Sequence, residues 1–118
     1  MTLQSVSKLV APATILTGLV IAAISLVTGN HAELKHGFED TQLIRACVQD
    51  DANILQVWFD PCTRRQQIIC KPDDRYAIMI VEAIGNTLQE VTCFIKQKMP
   101  ELRQVENYLK NRGSVRLR

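Results

Sequence analysis

An α+β domain preceded by an N-terminal transmembrane or signal helix is the fold class this sequence predicts, and three observations carry it. From Leu9 to Asn30 there is no charged residue. Four short runs rich in aliphatic and aromatic residues follow, each closed by turn formers. After Ile95 the spacing of apolar residues changes from roughly two to about three and a half, which is the change from strand to helix.

The apolar run LVAPATILTGLVIAAISLVT, residues 9–28, has the length of about twenty residues that a helix needs to cross a hydrocarbon core roughly 30 Å thick. Thr14, Thr17, Ser25 and Thr28 carry hydroxyls that can bond back to helix carbonyls, Gly18 is tolerated in membrane helices, and Pro12 falls near a first turn, where a missing N–H costs little. Lys8 precedes the run as it would in a signal peptide. No A-x-A triplet closes it, however, and the run exceeds the usual h-region, so a retained anchor is favoured over a cleaved signal. The expected organisation is therefore an anchor over residues 1–30 and a small domain over 31–118, single-pass at a membrane, or exported if the segment is cleaved. Lys8 on one side and Lys35 and Arg45 on the other leave the orientation nearly balanced.

The stretch HAELKHGFEDTQLIRACVQDD reads as a helix interrupted at Gly37, with Asp40 as an N-cap and Leu43, Ile44, Cys47 and Val48 as its apolar face. The strand runs are ILQVWF, RQQIICK, RYAIMIV and LQEVTCFI. Asp60 with Pro61, Pro72 with Asp73 and Asp74, and Gly85 with Asn86 supply the turns between them. Links this short suit a four-stranded antiparallel sheet, because a parallel crossover needs about a dozen residues or more. Pro100 then suits a first helical turn, Leu102, Val105 and Leu109 recur at helix spacing, and Gly113 is the expected stop. Helices covering one face of the sheet would bury Trp58, Ile68, Ile78, Ile80, Val91 and Ile95 as the core. The patterns after the anchor look complete, so residues 31–118 are expected to fold alone.

A formal charge of +2 is far from the strongly basic balance of proteins whose main partner is nucleic acid, so charge leaves RNA possible without indicating it. The basic close of the chain, Lys110, Arg112, Arg116 and Arg118, suits a solvated helix end. Four cysteines, Cys47, Cys62, Cys70 and Cys93, permit up to two disulfides in an exported domain, or behave as buried apolar groups, since three of them sit inside apolar runs. No C-x-x-C pair, metal motif or nucleotide motif calls for a cofactor.

His31, Lys35 and His36 form the cluster that most suggests chemistry. Residues 31 and 35 share a helix face, which sets an imidazole that transfers protons near neutral pH beside an ammonium that can stabilise a phosphate. The strings HAELKHG, LIRAC, VWF, EVTCFIKQKM and QVENYLKNRG, from His31 to Gly113, resemble a group of small uncharacterised bacterial and phage-associated proteins carrying H-A-x-x-R-H-G. Lys35 stands where that pattern has Arg and lacks the planar fork suited to two-point phosphate contact. More loosely, the leading helix with paired histidines and the hydroxyl on the final expected strand resemble toxin ribonucleases of the barnase, EndoU, colicin and RelE-like fold. That resemblance implies His31, His36 and Thr92 as catalytic residues and Lys35 and Arg45 as phosphate-binding ones. The sequence favours an interaction or structural module held at a membrane through residues 9–28 and meeting a protein partner, with a metal-independent ribonuclease-like domain as the alternative.

Overall fold

The structure, a computed structural model, describes residues 3–6 and 24–118, with side chains from residue 26 onward. Two strands, β1 (Leu3–Val6) and β2 (Ile24–Val27), precede two helices, α1 (His31–His36) and α2 (Phe38–Gln49). A 3-10 turn at Asp51–Asn53 leads into β3 (Ile54–Asp60), β4 (Arg65–Cys70), β5 (Ala77–Ile84) and β6 (Thr87–Ile95). Helix α3 (Leu102–Asn111) and a short β7 (Val115–Arg116) close the chain.

The four expected strands are present as antiparallel neighbours, but they form the middle of a larger mixed sheet. Among the described residues that sheet has seven strands in the order β1-β2-β6-β5-β4-β3-β7. β2 runs parallel to β6, with Leu26 opposite Leu88. The β5–β6 link is the two-residue loop Gly85–Asn86, where Gly85 takes φ +59, the positive value that hairpin turns matching strand twist require.

The membrane helix is the part of the expected fold that the described residues overturn. Val6 pairs with Ile24, so the chain leaves the sheet and rejoins it at neighbouring positions, whereas a single crossing sets its ends about 30 Å apart. Residues 9–23 of the expected span lie outside the described residues. Among those described, no helix is long and apolar enough to cross a membrane. The physical reason for the misreading is that an unbroken apolar run has no period: Ile24, Leu26 and Val27 suit a strand buried on both faces as well as a helix in lipid. The domain therefore includes residues before His31.

The helices divide between the two sheet faces instead of sharing one. Ile44, Cys47 and Val48 of α2 pack with Leu26, Val57, Ile68, Met79, Val81, Leu88 and Cys93. On the other face Val105 and Leu109 of α3 pack with Trp58, Ile69 and Ile78. Trp58, Ile68 and Ile78 are buried as expected, while Ile80, Val91 and Ile95 are half-buried. Helix α2 starts from Gly37, at φ +92, and so three residues before the expected Asp40 cap. α3 starts after Glu101, whose carboxylate accepts from the Gln104 N–H while the Gln104 side chain accepts from the Glu101 N–H at 2.9 Å. Pro100 thus lies just outside the helix instead of in its first turn.

Candidate functional site

β6 carries the irregularity from which the site is built. Val81 pairs with Glu90 and Ile80 with Thr92, leaving Val91 as an extra residue in the strand. The bulge turns Glu90 toward α2, while Thr92 shares the α3 face with Ile80. Pairing with β2 has ended by this point, its last partner being Gln89, and α1 packs along β6 beyond it.

Where β2 gives way to α1, an open cleft of about 720 Å³ lies between the Thr28–Asn30 loop and the β6 bulge. His31, Glu33 and Arg45 line its helical side, and Arg65, Glu82 and Gln89 line its sheet side. Arg65 and Glu82 come from adjacent strands, since Gln66, next to Arg65, pairs with Val81, next to Glu82. The cleft thus joins the His31 imidazole, the carboxylates of Glu33, Glu82 and Glu90, and the guanidiniums of Arg45 and Arg65.

The five residues expected at a site are dispersed. His31 lines the cleft, exposed at the start of α1. Lys35 is exposed and is not part of the cleft wall. His36 lies against Phe94, ring centroids 5.5 Å apart and planes tilted by 43°. Burial, then the neighbouring charges of Lys35 and His31, push its pKa below the usual histidine value. Thr92 is half-buried on the α3 face, its hydroxyl oxygen without a hydrogen bond among the described residues.

Arg45 is in the cleft wall, but its donors are already committed. Nε and Nη2 donate to the two Glu90 carboxylate oxygens at 2.8 and 2.7 Å, Nη1 donates to Glu33, and Nη2 also donates to the Gly29 carbonyl. These partners hold its pKa above the ordinary arginine value, the Glu90 hydrogen bonds contributing most. Arg45 thereby ties α1, α2, β6 and the β2–α1 loop together, and a phosphate would have to displace carboxylates to reach it.

Arg65 and Glu82 were not singled out from the sequence. Arg65 lines both the large cleft and a second cavity of about 160 Å³ under α3. Its Nε is buried with no hydrogen-bond partner among the described residues. The available signal was Glu82 itself, a lone carboxylate inside the otherwise apolar strand AIMIVEAI. Among the described residues no group of three His, Cys, Asp or Glu side chains is arranged to hold a metal ion.

No family model, no curated protein and no solved structure matches this chain.

Proposed function

We propose that the domain is a metal-independent ribonuclease-like module that takes single-stranded RNA into the cleft between the β2–α1 loop and the β6 bulge. The observation that carries this is Arg65, a guanidinium at the meeting of two cavities with its Nε unpaired. Among the described residues Arg65 forms no ion pair, so a phosphodiester can approach its guanidinium without breaking one.

Glu82 and His31 line the same cleft and supply the proton transfers. The carboxylate accepts the proton of a ribose 2′-hydroxyl as its oxygen attacks the adjacent phosphorus. The protonated imidazole donates to the 5′-oxygen as the P–O5′ bond breaks. A 2′,3′-cyclic phosphate and a 5′-hydroxyl end are left, and Arg65 balances the charge that builds on the non-bridging oxygens. Phosphate binding moves from Arg45 and Lys35 to Arg65 in this reading, and the catalytic histidine is His31 alone.

The test is cleavage of mixed-sequence RNA by the purified chain with chelator present. His31→Ala and Glu82→Gln should each lower the rate about a hundredfold or more, the usual scale for a lost general acid or base, and His36→Ala should leave it within a few-fold. An inactive wild type, or equal rates in all four proteins, sinks the proposal. An interaction module is the second reading, favoured by Leu34 and Phe38, which are 82% and 64% exposed beside Gly37. It predicts a concentration-dependent self-association in sedimentation velocity that a Leu34→Gln, Phe38→Gln double variant abolishes.

A further inference from the structure

The second cavity, about 160 Å³ between the sheet and α3, shares Arg65 with the large cleft, and Phe94, Tyr108 and Arg112 are in its wall. Two cations are held against those rings. Lys96 Nζ lies 3.8 Å from the Tyr108 ring centroid and 5.2 Å from that of Phe94, and the Arg112 guanidinium carbon lies 5.3 Å from the Tyr108 centroid. A ring face fixes a cation in place without cancelling its charge, as a carboxylate would. Among the described residues the ion pairs engage Arg45, Arg75, Arg116 and Arg118, so the charges of Arg65, Lys96 and Arg112 stay uncancelled.

Acidic neighbours bound this positive strip. Asp60 and Thr63 also line the cavity, but the Asp60 carboxylate accepts from the Cys62 N–H at 2.9 Å in the β3–β4 turn, which leaves two guanidiniums in the wall against one carboxylate. Another cation of the same apolar cluster lies over a ring, Lys71 at 5.0 Å from the Tyr76 centroid, but Asp73 and Asp74 follow it closely and offset Lys71 and Arg75. The uncompensated charge therefore runs from Arg65 past Arg112 to Lys96. The C-terminus of α3 opposes it little, because the N–H groups of Arg112, Gly113 and Ser114 cap the Leu109 and Lys110 carbonyls. Phe94 pairs with Ile78, and from Ile78 to Glu82 β5 rises about 13 Å, so a strand of a few nucleotides with its scissile phosphate in the cleft extends to Lys96.

We propose that Arg112 and Lys96 form a phosphate track for the single strand that enters the cleft, and the proposal rests on the RNA reading of that cleft. One phosphodiester meets Arg65 at the cleft, and neighbouring phosphates of the same strand meet Arg112 and Lys96. With cations over them, Tyr108 and Phe94 position charge instead of serving as stacking platforms for bases. The track therefore holds the backbone whatever the base, since phosphate contacts carry no sequence information. It adds binding without touching the reacting atoms.

The full chain is titrated by fluorescence anisotropy, over a range of salt, with labelled 2′-O-methyl oligouridine and oligoadenosine, which keep the phosphates and lack the attacking hydroxyl. The two should bind within a few-fold of each other, and three phosphate contacts give a slope of log K against log salt of about −2. Lys96→Gln and Arg112→Gln should each weaken binding about tenfold, the scale of a lost hydrogen bond to a charged group, and each should flatten the slope by about 0.7. Lys110→Gln is the control: at about 100° per residue it projects from the side of α3 away from Tyr108, and it should change binding less than twofold. Unchanged melts establish that each variant is folded. In cleavage of ordinary RNA, Lys96→Gln and Arg112→Gln should raise KM and leave kcat within a few-fold. No binding of either oligomer, an unchanged slope in both variants, an equal loss in Lys110→Gln, or a strong preference for one base overturns the track. So does binding to phosphatidylserine vesicles, lost in the same two variants, when RNA binding is not. Binding that falls as stated with no cleavage of ordinary RNA upholds the track while the nuclease reading falls, and cleavage whose KM neither variant changes overturns the track alone.

Discussion

An arginine whose side chain is 8% exposed is stable only when its donors are met, and Arg45 meets them with two carboxylates and a carbonyl. Glu90 is the deeper partner, with 1% of its side chain exposed against 28% for Glu33. Removing it strands a buried cation, so Glu90→Ala should lower unfolding stability by about 3 to 5 kcal/mol, and Glu33→Ala by distinctly less, in urea melts. Equal effects would show that the network is not centred on Glu90. His36 makes a prediction in pH. Its pKa is depressed first by burial, then by Lys35 and His31, so the unfolded chain takes up the proton before the folded one. Its contribution to stability is whole above the unfolded value near 6.5 and declines as pH falls from there toward the lower folded value. Lys35→Gln should move the His36 titration midpoint upward in NMR spectra without restoring it fully, because burial remains. At this scale the place of His31 at the head of a helix was legible from the sequence, since a helix start is local. The place of Arg65 at the meeting of two cavities was not, because it depends on strands and a helix distant in sequence.

Local punctuation made most elements readable. Gly37 at φ +92 and Gly113 at φ +87 mark the breaks that their residue type announces, and the strand runs end where Asp60, Asp73 and Gly85 turn the chain. What stayed hidden was any element whose identity is set by a distant partner. β2 is the clearest case: Ser25, Leu26 and Val27 pair with Thr87, Leu88 and Gln89, some sixty residues away, and nothing in an unbroken apolar run announces that register. The division of helices between faces was hidden for the same reason, because β3, β4 and β5 bury residues toward both sides. Leu26→Ala turns this into a measurement. The side chain is fully buried against the α2 face, so its truncation should cost about 2 to 5 kcal/mol in a denaturant melt. A melt unchanged by the substitution would mean that the segment stands apart from the domain.

The cysteines and the sheet edge test the molecule as a whole. All four cysteines are free, with Cys47, Cys70 and Cys93 buried and Cys62 exposed in the β3–β4 turn. Burial pushes the Cys93 thiol up to about 12 and raises Cys70 further, which suppresses the reactive thiolate. Ellman's reagent should therefore titrate one thiol quickly in the native protein and all four in guanidinium. The larger test is truncation. A fragment beginning at His31 was expected to fold alone, but the sheet changes that expectation. Starting there deletes β2, exposes Leu88, removes the Gly29 carbonyl from Arg45, and opens β6 along Thr87–Gln89, leaving ladder groups that were paired with β2 unpaired. Burial of Leu26 alone is worth about 1.5 to 3 kcal/mol, and the lost hydrogen bond to a charged group is worth about as much again. A chain from residue 31 should thus be less stable than one from residue 24 by about 3 kcal/mol or more, and its open β6 edge should drive association that rises with concentration. Paired urea melts and light scattering on the two fragments decide it: equal midpoints with no added scattering would place β2 outside the cooperative unit and return the start of the domain to His31.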